Sequence, residues 1–400
     1  MNPRIYFDHS ATTPLDPRVL TAMGPYLGGA FGNPSSLHHE GRMAREAVET
    51  ARAQVASLIG AEPDEIIFTA SGTEADNLAL IGAVRASGRP GHVVTTSIEH
   101  AAILEACRFL AESGTKITHL PVDADGLVGP ESLLRALQSN VTVVSVMAAN
   151  NVVGTVQPIE ELAHLTKLHG VRFHTDAVQA AGKIPLDVNR LHVDLLSLSA
   201  HKLHGPKGIG ALYIRKGTRL SPIVFGGGQE RGLRSATENV AGIVGFGAAA
   251  VIAHEELARE ATRLARFREL IARELSRVLP QSYLFGHPVH RLPGHLSFGL
   301  RGHERETGRL LAAFDAAGVA VSAGSACSAN HSGEPSGVLL AMGYDDERGR
   351  GLLRLSLGRF NTEQEVNCFL EILPRVLTQL TGAAVCVDQS VPDRRAVALA

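Results

Sequence analysis

The chain has 400 residues, 44% hydrophobic and 20% charged, with 38 basic against 40 acidic side chains and a net charge of −2. That balance gives no electrostatic case for nucleic acid or an anionic membrane, and the length allows a large core and two domains. No uninterrupted apolar run approaches the ~18 residues of a membrane span, and the start MNPRIYFDHSATTP has no apolar leader core. Cys107, Cys327, Cys368 and Cys386 lie too far apart for a zinc motif and are too few for a disulfide framework, so no metal site and a reducing cytoplasm are expected.

In chain order, the first strong pattern is a helix over 42–59, with Met43, Ala47, Val48, Ala51, Val55 and Leu58 on one face. Runs of strand type follow at 65–69, 92–96, 141–147, 171–174 and 194–198, separated by helical patterns. Such alternation predicts βαβ units and a mainly parallel sheet. Residues 254–279 read as a long amphipathic helix with Leu257, Leu264, Ile271 and Val278 a heptad apart. The domain change is placed near its start. The later stretches GHLSFGL, GVAVSAG and LLRLSLGRF suggest a smaller α+β domain, and the polar tail after about 382 is expected to be mobile.

Five stretches carry chemistry. In LSLSAHKLHGPKGIGALY (196–213), Lys202 stands at a strand end in an apolar setting. Desolvation lowers an amine's pKa, and a neutral amine can condense with a carbonyl, although most lysines are solvated surface groups. In FHTDAVQAAGK (173–183), Asp176 lies just past a strand, 26 residues before Lys202. Pyridoxal phosphate needs a lysine for its aldehyde and a carboxylate for its ring nitrogen, and Gln179 is placed to reach the ring hydroxyl. The competing reading of Asp176 is a helix N-cap. In IIFTASGTEADNLAL (66–80), a strand runs through Ser71-Gly72-Thr73 into a helix, which is an anion cradle and also has the spacing of a capping box. His100, at a strand–helix junction, could stack on a cofactor ring. Cys327, in the small-residue loop VSAGSACSANHSGEPSG, is either incidental or a reactive thiol on a mobile segment. GFGAAA (245–250) matches a dinucleotide fingerprint only in letters, because it lies in a helical run.

Together with DHSATTPLDPRV, FGNPSSLH, MAANN, GGGQERGLRSATENV and LRLSLGRFNTEQE, these stretches resemble the cysteine desulfurases over roughly residues 4–375. These are pyridoxal-phosphate enzymes of fold type I, like aspartate aminotransferase and the class V aminotransferases. The segment around Cys327 looks like the subgroup that feeds iron–sulfur cluster assembly. The resemblance implies a large cofactor domain over 16–257 and a small domain formed by 1–15 with 258–400. It implies that Lys202 holds the cofactor aldehyde, Asp176 the pyridinium and Gln179 the ring oxygen, with His100 stacked on the ring and placed to move a proton. Gly72, Thr73, Ser199 and His201 would hold the phosphate, and Thr237 the phosphate of the partner subunit in a homodimer. Asn151 and Arg354 would bind the substrate carboxylate of L-cysteine, and Cys327 would take the sulfur for a sulfur-acceptor protein such as an iron–sulfur scaffold.

The chain departs from the family pattern at three places. Asn150-Asn151-Val152-Val153-Gly154 lacks the usual acidic residue after the asparagines, Ala200 and Ala236 replace glycines, and the loop after Cys327 is one residue longer. A selenocysteine lyase, a class V aminotransferase and a non-catalytic binding platform are the competing functions. Retention of Lys202, Asp176 and Cys327 argues against the platform.

Overall fold

The structure, a computed structural model, describes residues 4–88, 91–137, 140–324 and 334–381, with side chains through 378. Its strands are β1 (Ile5–Tyr6), β2 (Ile66–Thr69), β3 (His92–Thr96), β4 (Lys116–Leu120), β5 (Val143–Ser145), β6 (Arg172–Asp176), β7 (Leu195–Ser199), β8 (Gly210–Ile214), β9 (Ser282–Phe285), β10 (His295–Leu300), β11 (Val319–Ala320) and β12 (Leu353–Ser356). The main sheet has seven strands in the order β2-β8-β7-β6-β5-β3-β4. Only β8 runs against its neighbours in that sheet. Every residue of β2, β3, β5, β7 and β8 is buried. Strands covered on both faces read as continuous apolar runs rather than as alternation, and that is how they read in the sequence.

The expected strand over 141–147 is shorter: regular strand runs only from Val143 to Ser145, although the Thr142 and Val146 N–H groups still donate to the His92 and His174 carbonyls of the neighbouring strands. The expected helix over 42–59 is His39–Leu58, with His38 accepting from the Gly41 N–H at its N-terminus. One face of the sheet packs Val48, Val55, Phe68, Phe173, Leu198 and Phe246 into a core. Its other face packs Leu78, Val93, Ile103, Leu110 and Leu212. A separate core gathers Phe7, Phe267, Ile271, Phe298, Phe314 and Phe369 around the antiparallel β9–β10–β12 sheet.

The helix expected over 254–279 begins 14 residues earlier, at Val240, and runs to Val278. Its first half, read in the sequence only as a helical run around 245–250, was not joined to it because it is apolar on all sides rather than amphipathic. Gly245 and Gly247 let it lie close to Met23, Pro206 and Ala51, where a Cβ would come within 2.9 Å of neighbouring atoms. Ala249, Ala250 and Ala253 belong to the main core, and Leu264, Phe267 and Ile271 to the second. This helix is long and apolar enough for a membrane span by length and composition, with a mean hydropathy of 1.4 over its most apolar window. Half of that window is buried inside the protein. Packing in a core accounts for the apolarity.

Candidate active site

The ends of β6 and β7, the start of the helix Gly72–Ala86 and the N-terminal segment 8–13 meet at one place. Asp176 is the last residue of β6 and is 6% exposed. It does not cap a helix: turns follow, and its Oδ1 accepts the Val178 N–H at 2.9 Å. Ser199 ends β7, and a single 3₁₀ turn, Ala200–Lys202, carries the lysine out of the sheet. Gly210, opening β8, allows this return, since a Cβ there would lie 2.5 Å from the Ser71 backbone.

The Lys202 ammonium donates to the carbonyls of Ser10 at 2.6 Å and Ala11 at 2.7 Å. Lys207, by contrast, is exposed. His201 shares a hydrogen bond with the Thr12 hydroxyl at 3.0 Å, and its carbonyl accepts from Thr13 at 2.9 Å. Burial, with Lys202 nearby, lowers the His201 pKa to about 4, so this imidazole is neutral at pH 7. Gln179, also buried, donates its amide nitrogen to the Ser10 carbonyl at 2.9 Å and accepts from Lys183 at 3.0 Å.

Gly72 brings a helix N-terminus against the strand ends. A Cβ on Gly72 would meet Val178 at 2.7 Å and Ser199 at 3.4 Å. Ser71 caps this helix by accepting the Glu74 N–H at 3.1 Å. Glu74 accepts the Ala70 N–H at 3.0 Å, one residue before the N-cap, and pairs with Arg234 at 2.8 Å, so only the Ser71 half of the expected capping box forms at this helix start. His100 caps the helix Ala101–Glu112, its Nδ1 accepting the Ala102 N–H at 3.1 Å.

Behind Asp176 lies a second carboxylate. Asp76 is 1% exposed, with Oδ1 3.7 Å from the His174 ring and lacking a hydrogen-bond partner among the described residues. His174 bridges Ser145 at 2.9 Å and Ser197 at 3.0 Å, and burial pushes its pKa down to about 3. Burial raises the pKa of both Asp76 and Asp176. His100, the Val178 N–H and Lys202 pull Asp176 back, whereas Asp76 has only Ser197. Burial therefore pushes Asp76 further toward the protonated form than Asp176.

Arg354, on β12, is 1% exposed. It donates to the Asn151 carbonyl, to Asp8 and to the Ser322 hydroxyl, each at 2.8 Å, while its Nε has no partner among the described residues. Asn151 and Arg354 are thus in contact, through the asparagine backbone. Thr237 is exposed, and Thr73 lies in the first turn of its helix, exposed likewise. Cys327 and its loop lie outside the described residues, as does the tail after 381.

Among the described residues, no three His, Cys, Asp or Glu side chains have metal-ligating geometry. Four participants were missed in the sequence: the Ser10 and Ala11 carbonyls, Lys183 and Asp76. Backbone carbonyls leave no residue signature. Lys183 did leave a hint, standing four residues after Gln179 in the quoted stretch.

The set suits pyridoxal phosphate. A half-buried primary amine, a buried carboxylate at a strand end and a helix start brought close by glycine supply partners for its aldehyde, ring nitrogen and phosphate.

The aminotransferase class-V family model matches residues 5–369. A "Cysteine desulfurase IscS" of Dictyoglomus turgidum is 46% identical over 95% of this chain and 96% of its own length. A "Putative cysteine desulfurase IscS 1" of Bacillus subtilis is 47% identical over 94% of this chain and all of its own. Among solved structures, a "NifS-like protein" superposes with a TM-score of 0.87 at 39% identity, covering 94% of this chain and 100% of the other. Another, described as "SspA in complex with cysteine", gives 0.77 at 34% identity over 90% of this chain and 100% of its own. The chain belongs to the class-V aminotransferases, fold type I enzymes dependent on pyridoxal phosphate, and within them to the cysteine desulfurases.

Proposed function

We infer that the chain converts L-cysteine to L-alanine and retains the sulfur on Cys327 as a persulfide. The observation that carries this reading is the meeting of Lys202, Asp176 and the Gly72 helix start at the sheet's C-terminal strand ends, in a chain that also holds Cys327.

Each residue has a task that follows from its chemistry. Asp176 holds the ring nitrogen protonated by presenting a carboxylate in a dry setting. Gln179 would donate its amide N–H to the ring oxygen, and His100 would pack against the cofactor and move a proton at the substrate thiol. Gly72, Thr73, Ser199 and His201 receive the phosphate at the helix N-terminus. Arg354 and Asn151 take the substrate carboxylate, with the free Arg354 Nε as a further donor. When bound, pyridoxal phosphate accepts the electrons left at the substrate α-carbon. The Lys202 amine holds and returns the α-proton. The Cys327 thiolate attacks the substrate sulfur. The new S–S bond takes that sulfur, the C–S electron pair returns to carbon, and protonation there yields alanine. The exchange is redox-neutral, thiol and cysteine giving persulfide and alanine.

The enzyme acts as a homodimer in this reading. Leu27, Phe31 and Leu37 are exposed by 64%, 78% and 89%, and Phe225 by 68%. Side chains of that size are expected under a partner. Thr237 is assigned to the partner's phosphate, and the persulfide is delivered to a sulfur-acceptor protein such as an iron–sulfur scaffold in the cytoplasm.

The test uses purified protein with L-cysteine, assayed for alanine and sulfide with and without reductant. Wild type should give both, and mass spectrometry without reductant should place added sulfur on the Cys327 peptide. Cys327→Ser should bind the cofactor and release almost no sulfide. Near-normal sulfide from that variant would favour a lyase instead.

A further inference from the structure

Lys183 has no task in the scheme above, yet it touches one of its members. It follows Gln179 by one helical-type turn, and its Nζ donates to the Gln179 Oε1 at 3.0 Å. The other end of the same amide, Nε2, donates to the Ser10 carbonyl at 2.9 Å. That carbonyl is the one that also accepts from Lys202 at 2.6 Å. A continuous path therefore runs from Lys183 through Gln179 and Ser10 to Lys202.

The donor inventory forces the orientation of this amide. In its protonated form Lys183 can only donate, and the Ser10 carbonyl can only accept. Turning the Gln179 amide over would place its NH2 against the Lys183 ammonium and its oxygen against the Ser10 oxygen, losing both bonds. Gln179 is 5% exposed, so solvent has little access to replace them. Lys183 also lines the cavities of about 30 and 40 Å³ beside His9, each with room for little more than a water molecule. It stands near two further cations, Lys202 and Arg354, and burial with their charge lowers its pKa to about 7.

We propose that Lys183 is a positioning residue for the cofactor: by occupying the Gln179 amide oxygen, it makes Gln179 present an N–H, and not a carbonyl, beside Lys202. The ring oxygen of pyridoxal phosphate is an acceptor, and a carbonyl facing it would repel it. The inference rests on the reading of Gln179 as the partner of that ring oxygen.

Four variants of the full-length holoenzyme separate the two: Lys183→Met, Lys183→Arg, Gln179→Leu and the double Lys183→Met/Gln179→Leu. The readouts are the absorbance maximum of the bound cofactor and the rate of its loss to a competing apoenzyme. Lys183→Met should shift the absorbance and speed cofactor loss roughly tenfold, the scale of one hydrogen bond to a charged group. Lys183→Arg, which keeps a cationic donor, should restore both toward wild type. The double variant should match Gln179→Leu alone, because Lys183 acts through that amide. A wild-type spectrum and retention in Lys183→Met, or independent effects that multiply in the double variant, would overturn the proposal. If Gln179→Leu changes the spectrum and Lys183→Met does not, this inference fails alone. If Gln179→Leu changes nothing, the reading of Gln179 fails and takes the inference with it.

Discussion

The turn at Glu230 should be a stability determinant out of proportion to its size. Glu230 and Arg52 are 8% and 5% exposed. They form two parallel bonds of 2.7 and 2.8 Å. Glu230 also accepts the Phe68 N–H at 2.7 Å, Arg52 donates to the Ile66 carbonyl at 2.9 Å, and its guanidinium lies 4.8 Å over the Phe68 ring. β2 is an edge strand, so the ion pair takes up backbone groups that a further strand would otherwise bond. The pair also holds Glu230 and Arg231 at φ of 46° and 57°, a conformation that non-glycine residues adopt at a cost. Glu230→Ala removes one charge and strands the other. Breaking a buried pair costs about 3–5 kcal/mol, and Glu49, 3.1 Å from Arg52 and half-exposed, places this case near the lower end, at about 3. With a urea slope near 3 kcal/mol per molar, the midpoint should fall by about 1 M in far-UV circular dichroism. Arg52→Met/Glu230→Ala leaves only the Phe68 N–H and Ile66 carbonyl without partners, so it should recover about 1–2 kcal/mol of the loss. A cost below 1 kcal/mol for the single variant, or a double variant no more stable than the single, would refute the reasoning.

Borohydride treatment of the holoenzyme should fix the cofactor to the Lys202 peptide, and Lys202→Ala should lose that label; finding it on Lys183 or Lys207 would remove Lys202 from its role. Mixing inactive Lys202→Ala and Thr237→Val chains should restore activity toward half of wild type per dimer, because both lesions fall in one site; no recovery despite proven subunit exchange would place Thr237 in its own subunit's site. Burial raises the Glu99 pKa from 4.5 to about 8, with the Asp176 charge adding to it, while the Met147 N–H and the Thr96 hydroxyl pull it back. A carboxyl held protonated in the fold and ionised when unfolded takes away stability as pH rises from 4.5 toward 8. Glu99→Gln should flatten that decline and stabilise the protein at pH 7 by up to about 3 kcal/mol, against no gain at pH 4; equal effects at both pH values would rule out the linkage.

Much of this site was legible because its chemistry sits where an α/β sheet places it. Asp176 and Lys202 follow strands, and Ser71-Gly72-Thr73 opens a helix after one, so strand ends read from apolar runs located three of the participants before any coordinates. His100 was visible for the same reason. Position at a strand end is a local property, written in a dozen consecutive residues. The contacts that hold the lysine are not local. Ser10 and Ala11 meet Lys202 across 192 and 191 residues, and they do so with carbonyl oxygens that every residue possesses. No side-chain pattern could have announced them, although DHSATTP was among the stretches that carried the family resemblance. Asp76 failed for a different reason: a lone acidic residue inside a helical pattern reads as a solvated side chain, and only the sheet behind it shows that it is buried. The early start of the Val240–Val278 helix shows the same limit, since a segment packed on all sides has no polar face to give its period away. Sequence therefore located the groups proposed to react, whereas the groups that would aim them came from parts of the chain whose roles depend on tertiary neighbours. The Ser10 carbonyl, accepting from both Gln179 and Lys202, is where the two kinds meet.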